Sequence, residues 1–296
     1  MAGQGSPTVR RRRLAAELRE IRLSRGKSGD IVAAALNWSP AKVSRYELAR
    51  TGLKPREVER LLDYYEVAGT RRARLLALAE DATQKGWWEE YSDSIAPDLL
   101  QLIGLEQEAS SIAMWQNDIV PGLLQTESYA RHIMSSYSQV EPTPPSVIER
   151  RVRVRMRRQE VISRDPPPEL TIVLDESILF RRVGDEPLMN EQLTRLARIA
   201  ELPNATLRVL PIAADHGLLL PSYSIFRFGT EADAMLPDVV TAEGLRDAFY
   251  EVEETETYMH RRAFEVILRA SIDPAASLAR ILDAVQTHWQ SAGPDP

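Results

Sequence analysis

A twenty-residue stretch from Ser28 to Glu47 constrains the fold of this chain more than any other feature. Its apolar residues recur at helical spacing in two short segments, which Asn37 and Trp38 separate. Ser39 followed by Pro40 is the pattern of an N-cap and a first helical residue, so a second helix begins there. The stretch predicts two short helices joined by a tight turn, the second with Lys, Ser and Arg on its outer face. Such a helix can enter the major groove of DNA, but helical hairpins without that role show the same pattern.

The region from Arg10 to about Val67 resembles the phage-repressor-type helix-turn-helix of the XRE family of regulators. The phrase SPAKVSRYE, Ser39–Glu47, is similar to that family's recognition helix in length and pattern. The resemblance implies a lambda-repressor-like all-α domain that binds double-stranded DNA. It implies base edges opposite Pro40, Ala41 and Arg45, and phosphates opposite Ser39 and Lys42. Arg45 is the strong reader, since Arg can bind guanine O6 and N7 together; Ser44 shares the outer face and is also a predicted contact.

Positions around the motif both follow and depart from the family pattern. Arg22 and Glu47 stand where family members often carry a structural ion pair, so we predict such a pair here. The family usually begins its first motif helix with Thr-Gln, but this chain has Ser28–Gly29, which removes a phosphate contact of the Gln side chain. Leu48–Ala49 replaces the usual Asn-Gly or Arg-Gly, which leaves the geometry of the following loop open.

Charge is divided unevenly along the chain. Residues 1–85 hold 18 Lys and Arg against 10 Asp and Glu, a net charge of +8, while the remainder holds 19 against 33, a net charge of −14. This asymmetry is expected when only the first domain meets nucleic acid. Four consecutive arginines open the first helix and flank the motif, so a phosphate-clamping or arm role is at least as good an interpretation as a solvated face. They are Arg10, Arg11, Arg12 and Arg13.

The length of 296 residues predicts two domains. We expect a helix-turn-helix domain over 1–85, a linker or docking segment with Trp87 and Trp88 over 86–97, and a C-terminal regulatory and dimerisation domain over 98–290. The chain has no cysteine, which excludes disulfides and thiolate zinc sites and is compatible with a reducing cytosol. Since no apolar run approaches the roughly 20 residues of a membrane span, we expect a cytoplasmic protein without a membrane partner.

Apolar periodicity beyond residue 98 alternates between helical and strand-like segments, which predicts an α/β, more specifically α+β, domain. The predicted helices cover 126–136, 146–163, 188–200, 254–270 and a last one from 274. The predicted strands cover 170–174, 206–210, 223–228, 239–243 and 249–253.

Several phrases of this second half resemble, in order, the sensor-like domain of WhiJ-like, antitoxin-like actinobacterial regulators. They are PGLLQTESYAR from 121, RMRRQEVI from 155, LDES from 174 and QLTRLARIAELPNATLRVLP from 192. The resemblance implies a homodimer on an inverted-repeat operator and, as partner, a small protein encoded by a neighbouring gene. A possible partner or ligand surface comprises Gly122, Gln125, Tyr129, Arg131 and His216. For each region of this surface, plain scaffolding is the competing interpretation.

An enzymatic interpretation finds little support in the residues. The four histidines are not paired at metal-ligand spacing, and no Gly-rich phosphate loop or nucleophile-elbow pattern is present. An acidic run could hold a metal or an acid–base pair, but such runs are more often solvated edges; it comprises Glu251, Glu253, Glu254 and Glu256. We therefore expect no enzyme, no metal and no cofactor. Three functions remain open: a regulator with a signal-receiving domain, an antitoxin-like module that mainly binds a small protein, and a cryptic ligand-processing enzyme.

Overall fold

The computed structural model describes residues 7–49, 51–83, 86–93, 95–215, 217–229, 238–243, 248–251 and 254–289. The chain divides into two compact units. The first comprises Met1–Glu90, Leu99–Glu108 and Phe228–Pro237, and the second comprises Tyr91–Asp98, Ala109–Arg227 and Asp238–Pro296.

The first unit begins with a bundle of five helices. They are α1 (Pro7–Ser24), α2 (Gly29–Leu36), α3 (Pro40–Glu47), α4 (Pro55–Tyr64) and α5 (Gly69–Asp81). Their apolar stripes meet in one core, whose fully buried side chains are Leu18, Val32, Val58, Leu61, Leu62, Leu75 and Ala79. The helical spacing of apolar residues in the sequence is therefore the spacing of this core.

Local capping fixes the two motif helices. The Ser28 Oγ accepts a hydrogen bond from the Ile31 N–H at 3.2 Å, and the Ser39 Oγ accepts one from the Lys42 N–H at 3.2 Å. Between the helices, Asn37 adopts the left-handed conformation with φ 56° and ends α2, a position that Asn tolerates better than most residues. The turn thus results from residues inside the motif.

The loop after α3 keeps a left-handed residue without a glycine. Ala49 has φ 53°, and its N–H donates to the Tyr46 carbonyl at 2.9 Å. A non-glycine residue in this region costs roughly 1–2 kcal/mol. The geometry that Leu48–Ala49 left open in the sequence is therefore a glycine-like turn held by surrounding contacts.

Charged pairs link the outer helices of the bundle. Glu17 of α1 is 1% exposed and accepts from Arg74 of α5 at 2.5 Å. On the surface, Arg71 lies 3.2 Å from Glu20. Because a buried carboxylate requires a partner, Arg74 is part of the packing of α5 on α1.

The remaining elements confirm the α+β expectation. The helices are α6 (Pro97–Glu108), α7 (Glu127–Tyr137), α8 (Pro145–Arg158), α9 (Ser177–Phe180), α10 (Glu186–Ala200), α11 (Glu254–Ala270) and α12 (Pro274–Thr287). The strands are β1 (Ser111–Gln116), β2 (Glu169–Asp175), β3 (Ala205–Leu210), β4 (Tyr223–Arg227), β5 (Val239–Glu243) and β6 (Ala248–Glu251). Most of α6 belongs to the first unit.

The six strands form one mixed sheet in the order β3-β2-β1-β4-β5-β6. β1, β2 and β3 are parallel, whereas β4, β5 and β6 continue the sheet antiparallel. The central strand β1 was not predicted from the sequence, although Ile112 at its centre pairs with Leu170 on one side and Phe226 on the other. One face of the sheet packs Trp115, Val173, Ile225, Phe264 and Ile267 into a core.

The β3 edge of the sheet is covered by the chain that joins α11 to α12. The Val209 N–H donates to the Ser277 Oγ at 2.9 Å, and the Val209 carbonyl accepts from the Ile272 N–H at 3.0 Å. Arg208 donates to the carbonyls of Ile272 and Ser271 at 2.9 and 3.0 Å. This edge is therefore closed to pairing with another strand.

Within the described ranges, none of the helices combines the length and the apolar character that crossing a membrane requires.

Candidate nucleic-acid interface

The helix α3 presents one exposed face and one buried face. Val43 and Tyr46 are each 2% exposed and pack into the bundle core. The exposed residues of the helix are Pro40, Ala41, Ser44 and Arg45. Burial on one side thus leaves the other side, with the predicted base-contacting residues, open to a ligand.

Arg45 is the most prominent group of this open face. Its side chain is exposed and makes no hydrogen bond or ion pair with any residue that the structure describes. A guanidinium in this state carries its full donor set toward solvent. It can bind a base edge without first breaking an internal contact.

A bidentate ion pair fixes the end of α3 against α1. The Arg22 Nε lies 2.7 Å from the Glu47 Oε1, and the Arg22 Nη2 lies 2.9 Å from the Glu47 Oε2. The Arg22 Nη1 also donates to the Lys27 carbonyl at 2.7 Å. The hydrogen bond with Glu47 raises the pKa of Arg22 above its ordinary value despite partial burial. The pair expected from the sequence is present and sets the orientation of α3.

Two buried tyrosines lie beside this pair and stay neutral. Burial raises the pKa of Tyr65 to about 12 and raises that of Tyr46 well above its ordinary value. The Trp38 ring packs edge-on against Tyr46, with centroids 6.0 Å apart. The buried side of α3 therefore does not change charge near neutral pH.

An open cleft of about 530 Å³ runs between α1, the start of α2 and α3. It is lined by Arg19, Arg22, Gly29, Asp30, Pro40, Ala41, Val43, Ser44, Glu47 and Leu48. Arg19 is exposed and makes no hydrogen bond or ion pair within the described part of the chain. The sequence reasoning missed Arg19, although it precedes Arg22 by one helical turn and so shares its side of α1. The cleft places the Arg19 guanidinium next to the exposed face of α3.

The structure places two predicted phosphate contacts in internal bonds. The Lys42 Nζ lies 2.5 Å from the Glu57 Oε1 and 4.2 Å from the centre of the Trp38 ring. The Ser39 Oγ accepts the capping bond described above, and its hydroxyl proton is the group that could still bind a phosphate. Lys42 is thus not a free cation in this conformation, which differs from the sequence expectation.

The predicted clamp of four arginines is only partly available. The Arg10 Nη1 donates to the Asp81 carbonyl at 3.2 Å, and the Arg10 side chain is 14% exposed, so Arg10 joins α1 to α5 instead of pointing outward. Arg11, Arg12 and Arg13 are half-buried, and the buried Arg11 Nε makes no hydrogen bond. Arg13 makes no hydrogen bond or ion pair within the described residues. For Arg10, the expectation of a phosphate contact is corrected.

The predicted partner surface of the second unit is largely interior. Gln125 and Tyr129 are 0% and 2% exposed, so no partner can reach them, and their assignment to a surface is corrected. Arg131 is half-buried and binds Glu149 at 2.7 and 3.0 Å. Gly122 is half-buried. His216 lies outside the described residues.

Gln125 belongs to a buried polar network around the Gly122–Leu124 turn. The Gln125 Nε2 donates to the Val120 carbonyl at 2.7 Å, and the Gln159 Nε2 donates to the carbonyls of Gly122 and Gln125 at 2.9 and 2.8 Å. Such bonds satisfy backbone groups that burial would otherwise leave unpaired. The phrase PGLLQT therefore has a structural explanation.

The acidic run near the end of the sheet lies partly outside the described residues. Glu253 lies outside the described residues, as does the side chain of Glu251. Among the described residues, no group of three or more His, Asp or Glu is placed to hold a metal ion.

Comparison with known proteins supports both halves of this description. A model described as "Helix-turn-helix domain" matches residues 13–75, and a model described as "Domain of unknown function (DUF5753)" matches residues 99–283. No curated protein and no solved structure matches the chain. The first match covers most of α1, all of α2 to α4 and about half of α5, and the second covers all six strands of the sheet and most of the helices from α6 to α12.

Proposed function

Since the chain belongs to the DUF5753 family and carries an N-terminal helix-turn-helix domain, we propose that it is a sequence-specific transcription regulator. The observation that carries this proposal is the open face of α3. There Arg45 is exposed and has no side-chain partner in the described part of the chain, while the Arg22–Glu47 pair holds the helix in place. A rigid helix with one unengaged reading group is what direct readout in a major groove requires.

The contacts divide into reading and positioning groups. Arg45 binds guanine O6 and N7, and the apolar Pro40 and Ala41 contact thymine methyl groups or sterically select against other bases. Arg19 and the Ser39 hydroxyl bind phosphates, which position the domain without reading sequence. In this chain Arg19 takes the place of the Gln side chain that Gly29 lacks.

The regulator acts as a homodimer. A single short helix reads only a few base pairs, and phage-repressor-like domains gain specificity by binding as symmetric pairs to inverted half-sites one helical turn apart. The second unit, which DNA reading does not require, supplies the dimer contact in this proposal.

Selection from random duplex DNA tests the proposal. We expect the full-length protein to enrich inverted repeats with half-sites about one turn apart, and Arg45→Ala to lose the preference at one position in each half-site. The loss should weaken cognate binding by on the order of 1–3 kcal/mol. Arg19→Ala is the matched comparison, because it should weaken cognate and random DNA equally. Single half-sites, or equal behaviour of the two variants, would contradict this orientation of α3.

The second unit receives a signal, and the resemblance to WhiJ-like, antitoxin-like regulators favours a small protein encoded by a neighbouring gene. The net charge of −14 beyond residue 85 supports this, because it repels DNA phosphates and suits a less acidic partner. The proposal assigns this unit no enzymatic role.

Addition of that small protein tests the signal. A partner regulates only when it binds two states of the protein unequally. We therefore expect saturating partner to change the affinity of the full-length protein for its selected operator, measured by fluorescence anisotropy. A basic protein of similar size that is unrelated to the locus serves as control. Unchanged affinity, together with no co-purification from the native host, would leave the second unit with a dimerisation role alone.

A further inference from the structure

The ammonium group of Lys42 has two partners, a carboxylate on α4 and the Trp38 ring in the turn before α3. It lies 2.5 Å from the Glu57 Oε1 and 4.2 Å above the Trp38 ring, which also has the Arg60 guanidinium at 5.9 Å. The Arg60 Nη2 donates to the Leu36 carbonyl at 2.8 Å, which holds it there. Lys42 and Glu57 are only 31% and 25% exposed. The lysine is therefore held by contacts with α4 and with the turn before α3.

The carboxylate that holds Lys42 is itself fixed. The Glu57 Oε2 accepts a bond from the Lys54 N–H at 2.9 Å, which caps the backbone at the start of α4. Burial raises the pKa of Glu57, but the bonds from the Lys42 side chain and the Lys54 N–H outweigh it and leave the pKa below its ordinary value. Glu57 is therefore ionised at neutral pH and cannot turn away without uncapping α4.

Lys42 has a position from which a free ammonium would reach DNA. It precedes Arg45 by three residues, so both side chains leave the same side of α3. Arg45 is exposed there and has no partner within the described residues. The family resemblance implied a phosphate contact for Lys42, whereas the structure pairs it with a carboxylate.

We propose that Glu57 sets the sequence-independent part of the DNA affinity of this protein by withholding Lys42 from phosphates. Each phosphate that a protein neutralises releases counterions and steepens the dependence of binding on salt. With Lys42 bound to Glu57, one potential phosphate contact is absent, and a carboxylate stands beside the reading face. This inference rests on the proposed DNA-binding function and identifies a residue that tunes it.

Glu57→Gln in the full-length protein is the test. The amide can still accept the Lys54 N–H, so α4 keeps its cap, but it no longer binds Lys42 as a charge. Affinity for random-sequence duplex DNA is measured by fluorescence anisotropy between 50 and 200 mM salt. We expect the slope of log affinity against log salt to steepen by about 0.9 unit, so the loss of affinity over this range grows about 3.5-fold. Glu59→Gln is the control, because it removes the same negative charge from α4. Glu59 pairs with Arg72 and not with Lys42.

Two variants of Lys42 make the outcome specific. Lys42→Met in the Glu57→Gln background should return the slope to the wild-type value, because the released ammonium is gone. Lys42→Met alone should leave the wild-type slope nearly unchanged, a result that does not depend on how well Glu57→Gln folds.

Contrary results separate this inference from the proposed function. A slope for Glu57→Gln equal to that of Glu59→Gln, or a flattening by about 0.9 unit for Lys42→Met alone, would overturn the withholding role while DNA binding stands. Absence of sequence-selective binding by the wild-type protein would instead count against the proposed function itself.

Discussion

Glu47→Ala is expected to lower the free energy of unfolding of the N-terminal bundle by about 3 kcal/mol, because it leaves the Arg22 guanidinium nearly buried without its carboxylate. The two side chains are only 12% and 10% exposed. The Lys27 carbonyl, which accepts from Arg22 at 2.7 Å, cannot neutralise the charge. Urea unfolding of the full chain, followed by loss of helical circular dichroism, measures the change. Since α3 loses its link to α1, operator binding should weaken as well.

Glu20→Ala is the matched control for that experiment. Glu20 lies on α1 and likewise pairs with an arginine, Arg71, at 3.2 Å, but the two side chains are 57% and 47% exposed. An exposed pair contributes at most about 1 kcal/mol, because water solvates both charges when they separate. Equal losses of stability in Glu20→Ala and Glu47→Ala would show that burial does not govern the Arg22–Glu47 pair.

Gln192→Ala is expected to destabilise the second unit by about 3 kcal/mol, which combines a lost pair of buried hydrogen bonds with a small cavity. Gln192 is 0% exposed. Its Oε1 accepts from the Thr126 N–H at 2.7 Å, and its Nε2 donates to the Leu124 carbonyl at 2.9 Å. The variant leaves the Thr126 N–H buried without this acceptor. The Leu124 carbonyl keeps a bond from Arg195 at 3.2 Å, which limits the loss.

Gln139→Ala supplies the comparison for Gln192→Ala. Gln139 follows α7, is exposed and uses only its backbone in the hydrogen bonds that the structure gives it. A surface change of this kind is usually within about 0.5 kcal/mol of neutral. The measurement is the change in the urea midpoint for unfolding of the second unit, monitored by near-ultraviolet circular dichroism of the sheet aromatics. A shift for Gln192→Ala no larger than that for Gln139→Ala would mean that water replaces the missing amide.

The motif helices could be predicted because their signals are local. The helix starts depend on Ser28, Ser39 and Pro40, each of which acts within one helical turn of its own position. The helical spacing of the core residues is likewise visible among residues that are close in sequence. β1 has no such signal. Its sequence SIAMWQ follows closely on the apolar α6, and both faces of the strand bury residues, so period-two alternation is weak. Only pairing with β2 and β4 identifies it as the centre of the sheet.

Apart from the Arg22–Glu47 pair, the partners of the side chains in the site could not be predicted from the sequence. Lys42 and Glu57 are 15 positions apart, and their pairing depends on how α3 and α4 cross. Arg19 was overlooked because nothing in the sequence says that its side of α1 borders a cleft. Gln125 and Tyr129 belong to a phrase that resembles a known domain, but resemblance does not distinguish an interior residue from a surface one. Burial distinguished them.

The position of β1 in the sheet has a consequence for the order of folding. Ser111 pairs with Glu169, 58 residues later, and with Arg227, 116 residues later. Closing such long loops before any contact forms is entropically costly, so sheets of this kind fold slowly. All contacts of the α1–α5 bundle lie within about 80 residues of sequence, and many of them join helices that are adjacent in the chain. Helical domains with such short-range contacts fold faster than sheets with long-range pairing. As the chain leaves the ribosome from its N-terminus, we expect the helix-turn-helix bundle to complete its structure while β4 is still to be synthesised.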